Sequence, residues 1–333
     1  MALTLAQLAK LETDPLKKYV IVNILREAKI MEVLPFTDVD SLRSIAVRWR
    51  TLPSVAFRKI NAGYTPSEGD TEQVWESVFA LGGEIKFDRV FKKIKNTIVD
   101  PIKLQSDMKL KALSLTFNDY VINGDHATDA DGFEGLKKRV SNMPTRQSVY
   151  YAGSSSAALD VTASTANANT FFSKLEEQHY KTNAGQVSCI LANEGIRYGL
   201  GRAARYVNSG GGMFLDATKD SFDRQILTWK GVPIVDTGLK TDQSTDIITD
   251  AETAGDAGTD ATSIYMVSFG EDQGLMGIQL PPGLEVYDPL AGAEQESTPT
   301  NLMRVEWWLG LANFGSYGVT RGQNVEGASN WTA

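Results

Sequence analysis

The stretch FNDYVINGDHATDADGFEGLKKRV, residues 117–140, closes one helical pattern and opens another. The first stops at Asn123-Gly124, three aspartates (Asp125, Asp129 and Asp131) crowd ahead of Gly132, and a short helix restarts beyond it. Three readings compete: a metal loop, an active site, or a structural corner. A helix–loop–helix calcium site with its glycine at Gly132 needs oxygen ligands at 127, 129 and 131 and a glutamate at 138. The chain has Ala127 and Lys138 at two of those places, so calcium is disfavoured. Asn, Gly and Asp are the residues that accept tight turns, and the stretch reads as a corner.

Working back from that corner, Asp100-Pro101 has the form of a helix start: Asp as N-cap and Pro at the first helical position. No breaker follows until Asn123, which predicts a helix over 101–122, roughly 33 Å long at 1.5 Å per residue. Leu104, Met108, Ala112 and Leu115 form one stripe on it, and Leu110, Leu113, Phe117 and Val121 another. Ahead of it, Ile45, Val47 and Trp49 alternate with Arg48 and Arg50, and further extended runs flank the turn-rich NAGYTPSEGD. That pattern predicts a long β-hairpin with its base near Gly82-Gly83, where a glycine pair permits a bulge. Such exposed strand edges invite pairing with another chain. Residues 1–43 read as a helical arm with no core of its own, which must pack elsewhere.

Beyond the corner, the Ser/Ala-rich run YYAGSSSAALDVTASTANAN marks a boundary. TFFSKLEEQHYK and NEGIRYGLGRAARYVN read as helices around the buried strand QVSCILA. MFLDAT, RQILTWKGVPIVDTG, DIITDAE, SIYMVSFG, LMGIQLPPGLEVYDP and NLMRVEWWLGLANFG read as strands. The fold class is α+β with a largely antiparallel second half.

Composition narrows the chemistry. The 333 residues suffice for roughly two domains of about 150 residues. No apolar run reaches membrane-spanning length, and charges through the first thirty residues exclude a signal-peptide core. One cysteine, Cys189, and two histidines, His126 and His179, are a poor stock for metal or acid–base work. Both histidines sit in polar surroundings and read as surface residues. GLGRAA (199–204) matches a dinucleotide fingerprint only superficially, because its first glycine lies mid-helix rather than directly after a strand. With no catalytic constellation assembled, the chain reads as neither an enzyme nor a cofactor binder. Charge is polarised along the chain: residues 236–300 carry thirteen Asp/Glu against the single Lys240, whereas residues 86–111 carry eight Lys/Arg against three Asp/Glu. Nucleic-acid contact from such a chain would be weak, charge-driven and blind to sequence.

The order of pieces, running from helical arm through hairpin, long helix ending FNDYVINGD and ILANEGIRYGLGRAARY to SIYMVSFGEDQGLMGIQLPPGLEVYDPL, resembles the major capsid proteins of tailed bacteriophages, with the Hong Kong ninety-seven-type fold. The resemblance implies an N-terminal arm (1–43), an extended loop (44–85), a peripheral domain (86–165) with its spine helix 101–122, an axial domain (166–285), and return strands of the peripheral domain (286–333). It implies hexamers and pentamers of an icosahedral shell around double-stranded DNA, separate scaffolding, portal and decoration proteins, and no membrane. The virion capsid is the implied location, after synthesis in the cytoplasm of a bacterial host. Arg48, Arg50, Arg58, Lys59, Glu68, Asp70, Glu72, Trp75 and Phe79 are the candidate contacts between subunits. Some relatives join a lysine to an asparagine; Lys59 is the candidate here, with no asparagine or glutamate matched to it. An encapsulin-like compartment shell is the alternative within the fold, and an α/β oxidoreductase using GLGRAA the alternative outside it.

Overall fold

The computed structural model describes residues 3–4, 15–27, 29–88, 90, 101–207, 215–219, 225–270, 274–287 and 300–327. A short strand β1 (Leu3–Thr4) precedes helices α1 (Pro15–Glu27) and α2 (Lys29–Val33). Strand β2 (Pro35–Asp38) leads into β3 (Arg43–Thr51) and β4 (Asp70–Ser77), and the chain continues as β5 (Phe79–Asp88). The long helix α3 (Pro101–Asn123) and the short α4 (Leu136–Ser141) bracket the corner. Then come β6 (Ser148–Tyr150), α5 (Thr165–Lys181), β7 (Cys189–Ala192) and α6 (Glu194–Val207). Strands β8 (Leu215–Lys219), β9 (Gln225–Trp229), β10 (Val232–Asp236) and β11 (Ala261–Val267) follow. The last three are β12 (Leu275–Tyr287), β13 (Thr300–Asn313) and β14 (Val319–Glu326).

These strands form a five-stranded sheet ordered β1-β2-β12-β13-β5, a seven-stranded sheet ordered β6-β14-β11-β7-β10-β9-β8, and a separate two-stranded ribbon β3-β4. Strand allocation departs from the expected split at residue 285. The β12 strand already lies in the five-stranded sheet from Leu275, pairing with β13 from Leu275↔Asn313 onward. Conversely β14 returns to the seven-stranded sheet beside β11, although it lies within the 286–333 segment assigned to the peripheral return. Long-range pairing decided both, and local pattern carries no information about which sheet a strand joins. DIITDAE, expected as a strand, is a bent loop instead. Asp242 captures the backbone ahead of it, accepting from the Ser244 and Thr245 amides at 3.0 Å each, while Ile247 and Ile248 still reach the core.

Helix α3 is organised by its second stripe. Leu110, Leu113, Phe117 and Val121 are buried, and Phe117 meets Phe133 and Trp307 at centroid distances of 6.0 and 6.4 Å. The first stripe grades from exposed Leu104 and Met108 to buried Leu115. The N-cap expected at Asp100 lies outside the described residues.

The corner is held by close backbone approach. Gly124 donates to Tyr120 O and Gly135 to Gly124 O, at 3.0 and 2.8 Å. A Cβ at Gly135 would stand 2.6 Å from Tyr120 O, too near for any other residue without a shift of the backbone. The aspartates serve the turn itself: Asp125 accepts from the Ala127 amide, Asp129 from the Asp131 amide and the Tyr120 hydroxyl, and Lys138 pairs with Asp125 at 3.2 Å. Among the described residues, no group of three or more His, Cys, Asp or Glu is placed to hold a metal ion.

The segment expected to act as an arm finds its cover at home for residues 20–36. Val20, Ile21, Ile24, Ile30, Met31, Leu34 and Phe36 are buried in the same core as α3 and β13, and Phe36 lies 5.1 Å from the Trp307 ring. At about 2 kcal/mol for each buried side chain, this segment is a structural part of its own subunit.

Candidate assembly interface

Strands β3 and β4 pair from Arg43↔Ser77 to Thr51↔Asp70 with a register shift after Trp49. The base of the ribbon is the bond from the Val78 amide to Leu42 O, at 2.9 Å. It is not Gly82-Gly83, which lie inside β5 in uninterrupted register with Glu306 and Val305. Gly82 is needed for a different reason: a Cβ there would stand 2.5 Å from Val305 O.

Residues 52–69 join the two strands, and every one of them is exposed. Their only order is local. The Ala62 amide donates to Lys59 O at 3.1 Å, with Asn61 in left-handed backbone, and Ser67 Oγ donates to Ser54 O at 2.9 Å. Val55, Phe57 and Ile60 are 95%, 108% and 92% exposed. Apolar groups so placed forgo about 2 kcal/mol each that burial would return. One face of the ribbon continues this surface, with Ile45 opposite Trp75 and Val47 beside them, all more than half exposed.

The candidate charges divide along the ribbon. Arg48 stands opposite Glu72 in the register; the side chains of Arg48 and Arg50 lie outside the described atoms. Arg58 lies over the Tyr64 ring at 5.3 Å and donates to Ala62 O at 3.2 Å. Lys59, Glu68, Asp70 and Glu72 are exposed. Phe79 belongs to β5 rather than to the ribbon, half-buried against the main core and 5.7 Å from the His126 ring.

Glu76 is what sequence reasoning missed. It follows the acidic turn and looks like one more surface charge, yet it is 6% exposed and meets Arg139, itself 8% exposed. The pair is bidentate, with Arg139 Nη1 to Glu76 Oε1 at 2.5 Å and Nη2 to Oε2 at 2.8 Å. The only sequence signal was its place on the inward side of an alternating strand, two residues after Val74.

Elsewhere the histidines differ. His126 is exposed, but His179 packs edge-on against Tyr180 and Trp229, and burial beside Lys230 lowers its pKa. Burial likewise pushes the Cys189 thiol well up. GLGRAA lies inside α6 as expected, with open space around Gly201.

The model of the major capsid protein GP7 family matches residues 14–164, from α1 through the ribbon and α3 to the N-cap of α5. Solved structures extend the likeness. The holo-SrpI encapsulin complex from Synechococcus elongatus is 14% identical, over 92% of this chain and 90% of that one, with a TM-score of 0.60. The capsid of a native GTA particle is 14% identical over 91% and 90%, at 0.55, and Mycobacterium phage Cain 10% identical over 98% of both, at 0.54. No curated protein matches the sequence. The fold is therefore that of the Hong Kong ninety-seven-type shell proteins. Within that class, the family-model match, which takes in the ribbon and α3, is to the major capsid protein GP7 family.

Proposed function

We propose that this subunit assembles with copies of itself into the hexamers and pentamers of an icosahedral shell that encloses double-stranded DNA. The ribbon β3-β4 and its tip would lie on a neighbouring subunit. The five-stranded sheet with α3 would form the peripheral unit, and β7 to β11 with α5 and α6 the axial unit around the symmetry axes. Scaffolding, portal and decoration proteins would be separate chains, DNA contact would be charge-driven, and assembly would take place in the cytoplasm of a bacterial host.

The observation that carries this reading is the exposed apolar tip, Val55, Phe57 and Ile60, borne on a ribbon that adds nothing to the core of its own chain. The GP7 match favours a genome shell over an encapsulin-like compartment, which shares the fold. Expression of the chain followed by negative-stain microscopy should show rings or hollow shells, and particles assembled during infection should protect double-stranded DNA from nuclease. A monomer at high concentration with protected tip amides would overturn the shell reading. Regular particles filled with protein cargo would favour the compartment.

A further inference from the structure

We infer that the Glu76–Arg139 pair is a positioning device that sets the angle at which the ribbon leaves the body. Its consequence for assembly rests on the shell reading above. The ribbon joins the body through two single chain crossings, residues 39–42 and 77–79, tied by the Val78–Leu42 bond. The Val39 amide also donates to Gln279 O at 2.8 Å, so the crossings are fixed to the body while the ribbon beyond them extends away from it.

Apolar packing anchors the crossings themselves, where Val78 is buried with Ile278 and Ala312 and Val39 packs against them, but it does not continue into the ribbon. Of the described side chains in β3 and β4, Glu76 alone is buried. Beside it lies a cleft of about 210 Å³ lined by Trp75, Phe79, His126, Phe133 and Glu134, so on that side Glu76 meets open space. Beyond the crossings, orientation is left to directional bonds, and these converge from two elements. Arg139 on α4 grips the carboxylate with both arms of its guanidinium, donates through Nη2 to Leu311 O at 2.5 Å, and is steadied by Nε donating to Glu134 O at 2.8 Å. The Asn313 amide at the end of β13 donates to Glu76 Oε1 at 3.2 Å. A planar fork on a planar carboxylate fixes direction as well as distance, which an apolar plug does not. Glu76 is thus locked to α4 and β13 together, and with it the direction of the tip.

The test uses the full chain with spin labels on cysteines placed at Gly63 and Thr170; the native Cys189 is buried. Electron–electron distance measurement on the monomeric fraction should give one narrow distribution. Glu76→Gln removes the charge with little change of shape, and the double variant Glu76→Met with Arg139→Met removes both charges, leaving none unpaired to unfold the body. Both should widen the distribution at least twofold while amides of α3 and β13 keep their protection from exchange. A width unchanged in the double variant overturns the inference, even if the single variant fails to fold. Widened distances together with closed, regular shells would overturn its consequence for assembly. Absence of any particles from the parent chain would instead count against the shell reading, leaving the distance result to stand alone.

Discussion

Glu326 ends β14 opposite Ala261, its amide bonded to Leu159 O at 3.1 Å. Burial first, then the neighbouring Asp160 and Asp260, push its carboxyl up to about 7. An unfolded glutamate titrates near 4.3. Between those values the folded chain holds a proton that the unfolded chain has lost, so stability falls as pH rises through this window. Glu326→Gln should therefore raise the melting temperature at about pH 8 and leave it nearly unchanged at about pH 4, where both states of the parent are protonated. Melting curves across that range check this; a gap that stays constant with pH would remove Glu326 as its source. Glu76 teaches a different lesson at the same scale. Placed among acidic neighbours, it reads as solvated, and only the fold brings Arg139 from 63 residues away to meet it.

Among the elements, the ribbon is the most separable. Its tip, residues 52–69, is exposed throughout, and loop tips contribute little to a core. Deleting residues 61–70, NAGYTPSEGD, should leave the melting of the isolated subunit within a few degrees while abolishing regular particles. Melting by circular dichroism and microscopy of the same preparation test both halves; loss of folding with particles spared would reverse the assignment. Elements defined by local rules were legible before any coordinates. Pro101 opens α3 and Asn123, ahead of Gly124, closes it, and alternation at Ile45 and Val47 marks β3. What local pattern could not carry was partnership: which sheet takes β12 or β14, and that 20–36 turns inward onto Trp307 instead of outward. At Gly82 the sequence signals a need for glycine without saying which need, since a strand that must pass close to a carbonyl and a strand that must bulge both ask for it.

For the whole molecule, the shell reading proposed above gives the uneven charge a use where copies meet one another. Exposed pairs such as Arg304 with Glu84, 3.0 Å apart, are screened by solvent and add little within one subunit. Between subunits the same kind of charge selects orientation, because a wrong register opposes like signs. Replacing Arg58 and Lys59 by Glu should slow or misdirect assembly at low salt, with the defect shrinking as the Debye length falls toward about 3 Å in 1 M salt. Light scattering at several ionic strengths measures it. Equal kinetics at low salt would leave the apolar tip as the main adhesive.

The sheet topology also imposes a timetable on synthesis. Strand β2 waits for β12, joined across the sheet by Gln279 reaching Asp38 over 241 residues of chain, and Glu76 waits for Asn313, 237 residues downstream. A ribosome adding about 5–20 residues per second exposes the ribbon for tens of seconds or less before its anchor exists. During that interval neighbouring nascent chains on one message carry sticky tips whose aim is not yet set. Emergence of β13 is thus the point at which the anchor of the ribbon becomes available, and on the shell reading proposed above it separates the making of parts from the building of the shell.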